Sequence, residues 1–350
     1  MRSFVYDQPA RRVIFAAGAL DRLAEEIARA GYRRVLMLST PGQRFAAEAA
    51  RALADVLAGT CDIAAMHVPI ETVHVARARA GEAGADSLLA IGGGSTIGLA
   101  KAIALERELP IVAVPTTYAG SEMTPIYGIS EGGVKKTGRD SRVLPRIVLY
   151  DPRLTLSLPA AVSGPSGMNA VAHAVEALYA HDANPVITLL SVESIRALSR
   201  ALPIVVRTPG DVNARTEALY GAWLAGISLG AVGMALHHRL CHVLGGSFNL
   251  PHAEVHTVVL PHVVSFNRDA APEAMRMIAD ALGATDAARG LYDLARQMGA
   301  PASLQEISMP YEGLDGVATI VASSPPYNPR AIDVEGVRAL LESAYRGTRP

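Results

Sequence analysis

Along the first 150 residues, short apolar runs alternate with stretches whose alanines and leucines recur at helical spacing. The runs are Arg34 to Leu38, Asp62 to Met66, Ser87 to Ile91, Ile111 to Val114 and Arg146 to Tyr150. Between them, Phe45 to Leu57, Val73 to Ala83 and Thr96 to Leu105 read as helices. Strand and helix in alternation predict an α/β domain with a parallel sheet covered on both faces. Ligands of such sheets bind beyond the carboxyl ends of the strands. From Asp151 the pattern changes: DPRLTLSLP is a connector, and helical periodicity then dominates over Ser166 to Ala180, Pro185 to Val206, Asn213 to Leu236, Glu273 to Leu282, Gly290 to Gln297 and Val334 to Tyr345. The expected division is an α/β domain over 1–158 and an all-helical domain over 159–350.

Composition narrows this picture without changing it. The 350 residues carry 32 Lys and Arg against 33 Asp and Glu, interspersed, which gives no footprint for nucleic acid or an anionic membrane. Cys61 and Cys241 lie far apart with no CxxC partner, so neither a disulfide framework nor a thiolate zinc site is indicated, and a cytoplasmic setting is expected. No apolar run reaches the length of a membrane span without a Gly, Pro or charge.

The most informative stretch of the α/β half is LLAIGGGSTIGLAK, Leu88 to Lys101. A strand runs into Gly92, Gly93 and Gly94, and Ser95 is expected to cap a helix starting at Thr96. Glycines admit close backbone approach, and a helix N-terminus offers unpaired N–H groups, so a pyrophosphate is a natural occupant; a plain tight turn is the alternative. The pattern is not GxGxxG. At the next strand end, VPTTYAGS crowds Thr116, Thr117 and Ser121 around Gly120, as turn caps or as the lining of a nucleotide cleft. Lys135, Lys136, Arg139 and Arg142 form a local cationic run, ordinarily a solvated face.

Most of the ten histidines fall between His237 and His262. Imidazole is the side chain best suited to ligate a metal or move a proton near neutral pH. His238 and His242 stand four apart, as do His252 and His256, so each pair projects from one helix face. Gly245 and Gly246 are expected to break the first helix. His237 points off the 238/242 face and His262 follows a proline, which makes them the weakest members. Asn169 and His173 form another pair four apart, and His173 can join His238 and His252 around one point. A divalent ion there would want a carboxylate as fourth ligand, and position 169 supplies a neutral amide.

Taken together, IGGGSTIGLAKA, VPTTYAGSEMTPIYG, KKTGRD, SGMNAVAHAVEALYA and the spaced histidines resemble the iron-containing alcohol dehydrogenases and, within them, the maleylacetate reductase subfamily. The resemblance implies a Rossmann-like N-terminal domain followed by a helical domain, the dehydroquinate synthase-like plan. It implies that Gly93, Gly94 and Ser95 bind the pyrophosphate of NADH or NADPH, that Thr116, Thr117, Gly120 and Ser121 line the nicotinamide and ribose side, and that Lys136 reaches the cofactor from a hairpin. Metal-dependent relatives hold their ion with an Asp and three His at the positions of Asn169, His173, His238 and His252, so the site here is expected to be vestigial, with no tightly bound metal. His242 matches a histidine beside the substrate. Where NAD-preferring relatives carry an Asp near Thr40, Ser39 and Thr40 are uncharged, so both cofactors are expected to be accepted.

The implied reaction is reduction of the C=C bond of maleylacetate to 3-oxoadipate in aromatic-compound degradation, with His173, His238, His242 and His252 as catalytic residues in a cleft between the two domains. Lys135, Lys136, Arg139, Arg239 and Arg330 are candidates for the substrate carboxylates, although Arg239 points about 100° away from His238. A homodimer is expected by analogy. The competing readings are a metal-dependent alcohol or polyol dehydrogenase, a sugar-phosphate cyclase, and a nucleotide-binding sensor without catalysis.

Overall fold

The computed structural model describes all residues except 1–3, 5, 7, 8, 44 and 133, together with the backbone alone of Val134 and Lys135. Two compact units emerge, one over residues 8–158 and one over 159–350 with the N-terminal 1–7.

In the first unit the elements run β1 (Arg12–Phe15), α1 (Leu23–Arg29), β2 (Val35–Leu38), α2 (Ala46–Ala52), β3 (Leu57–Cys61), α3 (Ile70–Glu82), β4 (Ser87–Gly92), α4 (Gly94–Arg107), β5 (Ile111–Pro115), β6 (Ile126–Glu131), β7 (Val134–Arg139) and β8 (Ile147–Tyr150). Six strands form one parallel sheet in the order β1-β8-β5-β4-β2-β3, and β6 and β7 form a separate antiparallel hairpin. Successive strand residues point to opposite faces, so each strand feeds two cores. Val35, Met37, Leu89 and Ile91 pack on one face with Leu23, Ile27 and Ala49, while Leu36, Leu38, Leu88 and Ala90 pack on the other with Ala76, Ala100 and Ile103. Burial on both faces is why these strands read as continuous apolar runs.

The strand expected over Asp62 to Met66 is displaced: β3 lies just before it, and the helix expected over Phe45 to Leu57 ends at Ala52. The physical reason is the edge position of β3, which pairs only with β2 and is half-exposed along most of LAGTC, so it carries too weak an apolar signal.

The second unit is helical: α5 (Ala160–Leu178), α6 (Pro185–Arg207), α7 (Val212–Ala231), α8 (Leu236–Phe248), α9 (His252–Asn267), α10 (Pro272–Leu282), α11 (Ala287–Gln297), α12 (Gly313–Ser323) and α13 (Val334–Arg346). Leu236, Leu240 and Leu244 of α8, Val255, Val259 and Val263 of α9, and residues of α12 and α13 share one core. Gly245 and Gly246 do not end α8, which runs on to Phe248 and stops at Asn249 in the left-handed conformation (φ 52°), with Pro251 behind it. Two glycines cost a helix roughly 1 kcal/mol each, which the packing of Phe248 against this core offsets. Among the described residues no single helix is long and apolar enough to cross a membrane.

One buried cation ties the first unit together. Lys101, fully buried on α4, donates from Nζ to the carbonyls of Ser121 (2.7 Å), Thr124 (2.8 Å) and Ile126 (2.7 Å) and to Thr124 Oγ1 (2.9 Å). Burial pushes its pKa down to about 7, with Glu122 pulling it back up. Lys101→Met would leave three buried carbonyls without their donor, and unfolding in urea should show a loss of about 2–4 kcal/mol. An unchanged midpoint would mean that the segment after β5 is held by other contacts.

His262, buried in α9 with Nε2 lacking a partner among the described residues, has its pKa pushed down to about 4 by desolvation. Below the ordinary value near 6.5 the unfolded chain binds a proton that the folded chain refuses, so stability is fully present above about pH 6.5 and falls as the pH drops towards 4, by about 3 kcal/mol for this residue. His262→Leu should flatten the pH dependence of unfolding by about one proton in that window, and a slope identical to wild type would contradict it.

Candidate active site

In the α/β unit the candidate cofactor residues lie at the carboxyl ends of β4 and β5. Gly92 has φ 152°, a conformation open to glycine, and a Cβ on Gly93 would sit 2.9 Å from Thr117 Cγ2. The Thr116 N–H donates to the Gly92 carbonyl (3.0 Å), so the loop after β5 lies directly on the glycine loop. Gly93, Gly94 and Ser95 are half-buried at the start of α4. Ser95 does not cap this helix, which begins two residues earlier than expected with Gly93 as its N-cap and no side-chain cap bond. No acidic residue occupies its first turn, so the positive end of the helix is left for an anion. The backbone cradle therefore fits a pyrophosphate.

The other expected cofactor residues are placed less tightly. Gly120 (φ 76°) turns the chain, and the carbonyl of Ser121 is held by Lys101. Ser39 ends β2, buried, its N–H bonded to Cys61 and its carbonyl to Ala64. Lys136 is exposed on β7 and paired with Glu131 (2.5 Å). Arg139 and Arg330 are exposed, Arg330 lying 4.0 Å above the Phe266 ring, and Arg239 is half-buried with its Nε unpartnered among the described residues. The Lys135 side chain lies outside the described residues.

The helical unit carries a cluster of its own. His173 on α5, His237, His238, Cys241 and His242 on α8, and His252 and His256 on α9 converge into one cluster, with buried Asn169 one turn before His173 on α5. His173 stacks on His238 (centroids 5.1 Å, 28°), and His242 stacks on His252 (6.2 Å, 16°). His256 stands at the centre, 4.5 Å from His252, 4.8 Å from His237, 5.0 Å from His238 and 6.3 Å from His173. His242 is exposed, His252 half-buried, and His173, His238, His237 and His256 are buried. The cluster thus has an open mouth and a dry floor.

The four expected catalytic imidazoles come together where α5, α8 and α9 pack, but the spacing misjudged two neighbours. His237 belongs to the cluster: its Nε2 lies 2.9 Å from His256 Nδ1, and Cys241 Sγ is 3.6 Å from that same Nε2. Its face of α8 is covered by α9, which the sequence of α8 does not reveal. Burial pushes the pKa values of His173, His237 and His256 well below the usual histidine range, with the other imidazoles adding to the shift, so these rings are neutral near pH 7.

Glu176 was missed altogether. It is three residues beyond His173 and seven beyond Asn169, on the same face of α5, fully buried. Its Oε2 meets His238 Nδ1 at 2.6 Å, and its two oxygens accept the N–H groups of Ala235 (2.9 Å) and His237 (2.7 Å). The 169, 173, 176 spacing was the available signal. The floor also holds polar atoms with no partner among the described residues: Asn169 Oδ1, His173 Nδ1, His238 Nε2 and His256 Nε2. Polar atoms left bare in a dry place are where a ligand's own polar atoms gain most.

Comparison with known proteins identifies the relatives of the chain. Residues 10–152 match the iron-containing alcohol dehydrogenase family and residues 164–345 the C-terminal part of the Fe-containing alcohol dehydrogenase family. The chain is 55% identical to a maleylacetate reductase of Burkholderia cepacia over 100% of both chains, and 53% identical to one of Sphingobium indicum over 99% of both. The crystal structure of a maleylacetate reductase from Agrobacterium tumefaciens superposes with a TM-score of 0.97 at 48% identity, covering 100% of each chain. With both halves matched and kinship running end to end, the chain belongs to the iron-containing alcohol dehydrogenase family, among its maleylacetate reductases, and is an oxidoreductase.

Proposed function

We propose that the enzyme reduces the C=C bond of maleylacetate to 3-oxoadipate, bound NADH or NADPH supplying the hydride. The observation that carries this reading is the imidazole cluster with a neutral amide, Asn169, at the place the resemblance gives to an acidic metal ligand. In the α/β unit, Gly93, Gly94 and Ser95 hold the pyrophosphate on the first turn of α4, Thr116, Thr117, Gly120 and Ser121 line the nicotinamide and ribose side, and Lys136 reaches the cofactor from β7. Neither Ser39 nor Thr40 brings a charge that would repel a 2′-phosphate, so both dinucleotides are accepted.

Hydride added to the alkene carbon distal to the ketone leaves an enolate, with negative charge on its oxygen. His173, His238, His242 and His252 surround that oxygen with hydrogen-bond donors, and a proton relayed through exposed His242 completes the product at the neighbouring carbon. An enolate is delocalised and less basic than an alkoxide, so donors suffice where an alcohol dehydrogenase needs a Lewis acid.

The residues present do not suit a tightly held divalent ion. Asn169 is neutral, and Glu176 is engaged with His238 and the start of α8. Among the described residues, the ligand-type side chains whose atoms lie within 4.8 Å of one another are His237, Cys241 and His256, and two of those nitrogens are bonded to each other. The reading places the enzyme in the cytoplasm as a homodimer, buried free Cys61 and Cys241 suiting a reducing compartment.

The direct test is dinucleotide oxidation with maleylacetate after chelator treatment. Activity should persist and gain nothing from added iron or zinc; activity that vanishes and returns with either metal, together with oxidation of simple alcohols by NAD⁺, would replace this reading by a metal-dependent alcohol dehydrogenase. His238→Ala should lower kcat by about 10²–10³, and turnover near wild type would remove His238 from its role.

A further inference from the structure

We propose that Glu176 is a positioning residue that decides which nitrogen of His238 faces the substrate. The carboxylate sits at the N-terminus of α8, whose N-cap, Ala235, has no side chain able to cap it. From α5 it does that work instead: Oε1 accepts the His237 N–H (2.7 Å), and Oε2 accepts the Ala235 N–H (2.9 Å) with a longer approach from the His238 N–H (3.4 Å). Backbone N–H groups can only donate, so both oxygens are committed as acceptors. The fourth partner, His238 Nδ1 at 2.6 Å, must then also be a donor.

The neutral ring is thereby fixed with its hydrogen on Nδ1 and its Nε2 bare, and any second hydrogen it takes is carried on Nε2. The ring plane is set separately, by His173 stacked on one side and the edge of His256. Nε2 is buried and has no partner among the described residues, which makes it the atom presented to a ligand. A buried carboxylate behind the ring supplies the negative charge that Asn169 does not, on the far side of an imidazole instead of in the cavity. This rests on the reductase reading only in so far as the enolate oxygen is what Nε2 meets.

Glutamine cannot imitate this arrangement. Whichever oxygen of Glu176 becomes NH₂, its hydrogens point at an N–H of α8, or they donate to His238 Nδ1 and reverse the tautomer. The test pairs kinetics with ¹⁵N spectra of imidazole-labelled protein, the His238 signals assigned by their loss in His238→Gln. The wild type at neutral pH should show a protonated Nδ1 and a bare Nε2, whereas Glu176→Gln should shift hydrogen to Nε2 and lose about 10²–10⁴ in kcat, with KM for the dinucleotide changed by less than about threefold. A wild-type hydrogen on Nε2 overturns the proposal, as does a Glu176→Gln enzyme with intact kcat. Should that variant fail to fold, the wild-type spectrum decides alone. A chain that shows the Nδ1–H form but no turnover of maleylacetate would sink the reductase reading and leave the positioning role standing.

Discussion

A buried carboxylate surrounded only by donors has very little freedom, and the histidine cluster of the helical unit is arranged around that constraint. Glu176 on α5 holds the first turn of α8 by its backbone and by the imidazole of His238 at once. The same contact that ends one orphaned helix terminus therefore sets the direction of a reactive side chain. Leaving either partner unsatisfied in so dry a place costs about 1–3 kcal/mol or more for each group. Stability and chemistry are coupled through one residue, and α9 then brings His252 and His256 against a partner whose position is already fixed.

The α/β half works by omission. Around Gly93 the absence of a side chain lets the loop after β5 lie on the loop after β4, and the absence of an acid in the first turn of α4 leaves its positive end available. Lys101, about two turns along α4 from Gly94, holds the segment after β5 through four oxygens. The candidate residues of the α/β unit are defined by what is missing near a backbone, those of the helical unit by what is crowded among side chains.

How much of this the sequence displayed depended on whether a residue's role is local. Strands buried on both faces announce themselves as apolar runs, and imidazoles four apart share a face whatever else happens, so the sheet and the pairs His238/His242 and His252/His256 were legible. The edge strand β3 was misplaced because half-exposed LAGTC has little pattern to read. Gly245 and Gly246 looked like a stop because local propensity ignores the core that Phe248 joins. His237 and Glu176 were misjudged or missed because each takes its meaning from a different helix, a pairing visible only after α5, α8 and α9 have packed.

The order of strands also bears on how the chain comes to be folded. β1 lies at the edge of the sheet and, among the described residues, pairs only with β8, the last strand of its unit. At ribosomal speeds of about 5–20 residues per second, Arg12–Phe15 waits on the order of ten seconds for its only neighbour to emerge. During that interval a short strand is synthesised and left without a mate, so Arg12–Phe15 joins the sheet only once the rest of its unit has been made.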